Sequence, residues 1–219
     1  MESSKYLEDI ASIKTMMSKS SRFMSLSGLS GILAGVYALI AAVVAHYLIQ
    51  GHIQLFASSR EDFLNLILRI FATAELAGNL IILFLVTLLL AIGTGIILTY
   101  KKAAKNKESI WDSSSKRLIA NFAIPLVTGG VFSIVLIQYG IIGLIAPATL
   151  IFYGLALVNA SKYTLGDIKY LGLANIIIGL IATQFIGYGL YFWALGFGVF
   201  HIIYGAIMYN KYDRQKDEK

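Results

Sequence analysis

Residues 76–100 read LAGNLIILFLVTLLLAIGTGIILTY, a run without a single charge. A helix needs about 20 apolar residues to cross the hydrocarbon core of a bilayer. The run lacks the apolar–polar alternation of a half-buried strand, which leaves a membrane-spanning helix. Five more stretches read the same way. The predicted spans are Met24–Ile49, Leu76–Tyr100, Leu118–Gln138, Gly140–Asn159, Leu171–Tyr188 and Phe192–Asn210. Gln138-Tyr139-Gly140 and Gly189-Leu190-Tyr191 are joins short enough for tight hairpins, whereas Lys101–Arg117 and Ser161–Tyr170 are longer and polar. The expected fold class is an all-α membrane protein of six transmembrane helices.

Composition agrees. The 219 residues are 58% hydrophobic and 14% charged, with mean hydropathy +0.74, against about 45–50% and about 25% for soluble domains. The absence of cysteine excludes disulfides, thiolate metal sites and thiol nucleophiles. Metal-peptidase and phosphate-loop motifs are missing too, so no metal and no cofactor are expected. The net charge of +6 sits at the ends of apolar runs and forms no face of its own, which argues against nucleic acid as a partner.

That placement orients the chain. With six spans, 16 of the 18 basic residues fall on one side: Lys5 to Arg22, Lys101 to Arg117, Lys162 and Lys169, and Lys211 to Lys219. Only Arg60 and Arg69 fall on the other. The positive-inside rule then predicts a multi-pass protein of the cell inner membrane with both termini in the cytoplasm.

Before the first span, Tyr6, Ile10, Ile13 and Met17 repeat at helical spacing. Ser3 or Ser4 can cap such a helix, with acids early and bases late. Residues 1–23 are therefore expected to form an amphipathic helix on the cytoplasmic leaflet. A solvated tail and a partner-docking helix are the alternatives. Residues 24–210 form the six-helix domain and 211–219 a cytoplasmic tail. Ser58-Ser59-Arg60-Glu61 reads as a capping box that starts a helix outside the membrane.

Spans three and five open alike, as Leu118-Ile119-Ala120-Asn121 and Gly172-Leu173-Ala174-Asn175. Spans four and six share Ile151-Phe152-Tyr153-Gly154 and Ile202-Ile203-Tyr204-Gly205. Gly28-Leu29-Ser30-Gly31 with Gly35 echoes Gly172-Leu173-Ala174-Asn175 with Gly179. The expectation is tandem hairpins, 118–159 and 171–210, with a weaker copy over 24–100, related about the membrane normal. Gly172, Leu173, Ile176, Gly179 and Gly205 carry a hairpin pattern that resembles the six-span acid-resistance membrane proteins of bacteria. The whole chain also looks like uncharacterised six-span bacterial inner-membrane proteins. Neither resemblance brings a mechanism or a catalytic residue, and the long outer segment Gln50–Phe71 departs from the first.

Small residues recur at helical spacing in Ser27, Gly31 and Gly35, in Gly172 and Gly179, and in Gly198 and Gly205. They suit close helix packing in lipid. Pro125 and Pro147 are expected to kink their spans. Polar groups at membrane depth are the candidate site: His201 near mid-membrane, Gln184, Thr94, and Glu75 with Asn79 toward the outer end. His201 bonded to a neighbouring helix is weighed against His201 lining a path. Ser30 with His201 also resembles the serine–histidine pair of rhomboid intramembrane proteases, although the serine lies on the wrong span. Two functional classes result. One is a non-enzymatic scaffold, regulatory or stress-tolerance protein with the bilayer, a protein partner or a second copy as its company. The other is a small channel or transporter.

Overall fold

The computed structural model describes residues 26–57, 63–106 and 110–214 together with Tyr6 and Phe23. Apart from Tyr6 and Phe23, the predicted amphipathic helix of residues 1–23 lies outside the described residues, as do the capping box at 58–61 and the side chain of Arg69. The rest is helical, with no strand among the described residues. The elements are α1 (Gly28–Ala57), α2 (Phe63–Asn106), α3 (Ser113–Gln138), a 3-10 turn (Ile142–Leu144) leading into α4 (Ile145–Ala160), α5 (Ile168–Ala182) and α6 (Gly189–Asp213).

Five segments are long and apolar enough to cross a membrane: Gly28–Gln54, Ala72–Asn106, Ser113–Gln138, Ile142–Ala160 and Gly189–Asp213. The fifth predicted span is shorter than expected. α5 has 15 residues, roughly 22 Å at 1.5 Å per residue. Its helix stops at Ala182 and not at Tyr188. There the Thr183 hydroxyl bonds Leu180 O, the Gln184 amide bonds Thr183, and Gly187 takes a positive φ of 97°. Polar side chains that bond their own backbone compete with the helix. Gly189-Leu190-Tyr191 is consequently the first turn of α6 and not the hairpin join.

The α3–α4 join forms where expected. Gly140 (φ 71°) donates to Ile137 O and Ile141 donates to Leu136 O, which is a Schellman stop that uses glycine for the left-handed residue. The prolines differ from expectation. Pro147 lies in the first turn of α4, where no intrahelical donor is needed, so it starts a helix and does not kink one. Pro125 is inside α3 and denies Asn121 O its usual donor. Asn159 Nδ2 on α4 fills that gap at 2.9 Å. Asn159→Ala should therefore cost about 0.6–1.7 kcal/mol in a Pro125 background. It should cost measurably less once Pro125→Ala restores the donor. Equal costs in a double-mutant unfolding cycle would contradict this account.

Polar contacts gather one end of the bundle. Lys102 Nζ on α2 meets Asp213 Oδ1 of α6 at 2.5 Å and Leu26 O at 2.6 Å, while Asp213 Oδ2 accepts from Gly28 N and Ser27 Oγ at the start of α1. Nearby, Phe23 N donates to Tyr163 O, and the Thr164 hydroxyl donates to Phe23 O. Asp167, just before α5, accepts from Lys211 Nζ and Tyr212. The Lys211 ammonium holds the Asp167 carboxyl below the usual carboxylate range. α5 therefore starts at the end where α6 finishes, and Gly189 lies beside Ala146 and Pro147 at the opposite end. Between Asp167 and Gly189 the chain thus passes from one end of the bundle to the other.

Two glycine seams hold the helices together. A methyl added to Gly154 on α4 would stand 2.5 Å from Gly172 O and 2.9 Å from Ile176 N of α5. One added to Gly205 on α6 would stand 2.7 Å from Gly28 O and 2.5 Å from Ile32 N of α1. The likeness extends along both seams. A methyl on Gly179 would stand 3.1 Å from Ile151 N, and one on Gly35 would stand 3.0 Å from Ile202 N. Gly31 sits between, where a methyl would stand 3.3 Å from the Gly205 Cα, while Gly198 faces Leu39. α2 instead shows its apolar residues outward: Ile82, Leu89 and Ile96 are more than half exposed. Such a surface suits hydrocarbon, not water.

Candidate functional site

The interior of the bundle is not filled. A cavity of about 480 Å³ lies among all six helices, bounded by apolar side chains such as Leu88, Leu126, Phe152 and Leu157. The wall hydroxyls of Ser30, Thr87 and Thr149 each donate to their own helix backbone, so they do not offer a polar lining.

One interhelical polar pair borders it. His201 on α6 is buried (6% exposed). Its Nδ1 lies 2.9 Å from Gly196 O and its Nε2 lies 2.7 Å from the Tyr153 hydroxyl of α4. A carbonyl only accepts, so Nδ1 carries the proton and Nε2 accepts from Tyr153 O–H in the neutral ring. The backbone explains why Gly196 O is available. Residues Ala194–Val199 form a π turn in which Phe200 N–H reaches back to Leu195 O. An α-helix would have given that donor to Gly196 O. The turn lies where Gly196 comes against Leu150 and Asn175 Oδ1 of the neighbouring helices.

Aromatic rings fix the pair. Phe197 stacks on His201 (6.0 Å, 18°) and lies 4.9 Å from Tyr153, which Phe122 meets edge-on at 6.0 Å. Asn175 is fully buried with Nδ2 on Leu171 O, while its Oδ1 has no hydrogen-bond donor among the described residues and lies against Gly196. Asn121 makes the corresponding bond to Arg117 O on α3.

The other predicted site residues are not brought together. Glu75 and Asn79 are exposed on α2, and Gln184 is exposed in the turn after α5. Thr94 bonds Leu90 O and Ala91 O of its own helix. The Ser30 hydroxyl is committed to Ser27 O at 2.6 Å, and both His201 nitrogens have other partners. Gly31, Gly35, Gly198 and Gly205 lie in the α1–α6 seam, Gly172 and Gly179 in the α4–α5 seam. No group of three His, Cys, Asp or Glu side chains suited to a metal occurs among the described residues.

Sequence reasoning missed Tyr153, which it took only as part of a repeated tetrapeptide. A phenol in mid-span is itself a polar group at membrane depth, and that was the available signal. Comparison with protein-family models, curated proteins and solved structures finds no match to this chain.

Proposed function

We propose that this chain is a six-span inner-membrane protein that holds an apolar guest inside its bundle. It acts without catalysis, as a regulatory, scaffolding or stress-tolerance component. The observation that carries this reading is the cavity, apolar on most of its wall, with the Ser30, Thr87 and Thr149 hydroxyls and the Tyr153–His201 pair already bonded within the protein. Its volume falls in the range of about 300–1,000 Å³ typical of small-molecule pockets. The paired seams support tandem hairpins of common ancestry, and the traverse of α5 supports a sixth crossing. The gathering of Lys102, Lys211 and the α4–α5 connection at one end supports a cytoplasmic face there. The chain has no cysteine, so single-cysteine variants report topology directly. An impermeant maleimide should label Tyr139→Cys in intact cells and spare Lys162→Cys. The reverse pattern would refute the orientation.

The guest reading is tested with Trp111→Phe, which leaves Trp193, on the cavity wall, as the sole tryptophan. In detergent, dibromobenzene should quench Trp193 along a saturable curve. Purely linear, collisional quenching would sink the reading. His201→Phe leaves Tyr153 O–H and Gly196 O without their partner and should cost about 1–3 kcal/mol, yet the folded variant should keep the saturable curve.

One observation favours a channel or transporter instead, namely that the His201 ring borders the cavity. Proteoliposome flux that depends on pH and disappears in a folded His201→Phe protein would establish that alternative.

A further inference from the structure

The two seams pair the second helix of one hairpin with the first helix of another: α4 with α5, and α6 with α1. A third such contact would pair α2 with α3. Ile92-Gly93-Thr94-Gly95 on α2 matches Ile151-Phe152-Tyr153-Gly154 and Ile202-Ile203-Tyr204-Gly205 at the isoleucine and the last glycine. On α3, the places held by Gly172 and Gly179 in α5 fall to Leu118 and Pro125. A leucine there puts a branched side chain where the other seams set backbone on backbone. The third seam accordingly stays open. A methyl added to Gly95 or Gly130 would meet nothing within 4 Å. Phe84, Leu88 and Ile92 of α2 and Leu126 of α3 border the cavity while remaining 36–49% exposed. The cavity thus opens sideways, at the depth of the hydrocarbon core.

Basic residues lie beyond it along both helices. Lys101 follows Gly95 by six residues, about 9 Å along α2, and Arg117 precedes Phe122 by five, about 7.5 Å along α3. Lys101, Lys116 and Arg117 are all exposed at the same end of the bundle. Along α6 the wall runs from Trp193 to Met208, roughly 22 Å. That is the shape of a slot for one extended chain below a cationic rim.

We propose that the α2–α3 gap admits one acyl chain of an anionic phospholipid into the cavity, with its headgroup phosphate on the Lys101, Lys116 and Arg117 rim. This rests on the apolar-guest reading and names the guest. Apolar surface accepts the chain, and juxtamembrane cations select the headgroup.

The test uses the full chain with Trp111→Phe, reconstituted in vesicles of phosphatidylglycerol or phosphatidylcholine with brominated acyl chains. Trp193 should be quenched at least twofold more by the phosphatidylglycerol chains. Gly95→Phe with Gly130→Phe fills open space, and should cut that quenching at least twofold in a protein with unchanged helicity. Lys101→Gln with Arg117→Gln, which alters only exposed side chains, should abolish the headgroup preference and leave chain quenching in place. Equal quenching in the filled and unfilled proteins, or equal quenching by the two headgroups, overturns the proposal. If dibromobenzene still saturates in that event, the cavity binds apolar guests but not this lipid. If it does not, the underlying reading has failed as well.

Discussion

Asp213→Ala should destabilise the bundle by about 3–5 kcal/mol, because it strands a charge the fold has largely withdrawn from water. Lys102 and Asp213 are only 14% and 13% exposed. With the carboxylate gone, the Lys102 ammonium keeps Leu26 O as its acceptor and no counter-charge. The same change removes the acceptor for Gly28 N–H and Ser27 O–H at the start of α1. Lys102→Met should cost less, since Asp213 retains those two donors. The pair Lys102→Met with Asp213→Leu should recover much of the loss, as apolar replacement of buried ion pairs often does. Thermal unfolding in detergent measures all three. An Asp213→Ala protein within about 1 kcal/mol of the parent, below the range for a broken buried pair, would show that the clamp bears little of the stability.

The second large effect concerns glycine. Alanine at Gly154 or Gly205 should cost about 1–3 kcal/mol or more, the range for overpacking a close contact. Each added methyl would come within 2.5–2.9 Å of backbone atoms, which no side-chain rotation can relieve. Alanine at Gly93 or Gly95, where nothing lies within 4 Å, should be neutral or stabilising by up to about 1 kcal/mol from helix propensity. The contrast is the decisive quantity. Similar costs at Gly95 and Gly205 would mean that α2 packs against something in the membrane at this seam position.

Much of this architecture was legible in the sequence because lipid imposes a length on each apolar run. The stop at Gly140 and the small residues of both seams follow from residue type and spacing. Three things did not. The end of α5 at Ala182 depends on Thr183 and Gln184 turning onto their own backbone, a choice that hydropathy cannot rank. The Tyr153–His201 bond joins positions 48 apart and required knowing that α4 faces α6. Glu75, Asn79 and Gln184 were weighted by depth along a helix, whereas burial depends on which face a neighbour covers. The open third seam is written at Leu118 and Pro125, yet it can be read only after the other two seams show what a closed one needs.

The two matching seams also close at different times. The α4–α5 seam joins neighbours in the chain and can form as soon as both helices are made. The α6–α1 seam waits for Gly205, 177 residues after Gly28. At about 5–20 residues per second of synthesis, that interval is roughly 9–35 s. During it the nascent α1–α2 hairpin keeps its glycine face bare in the bilayer, open to any α6 that arrives first. Ribosomes working close together on one message would then offer the α6 of an older chain to the α1 of a younger one. The order of synthesis thus leaves this seam for last, and the Asp213 clamp at the last turn of α6 closes it.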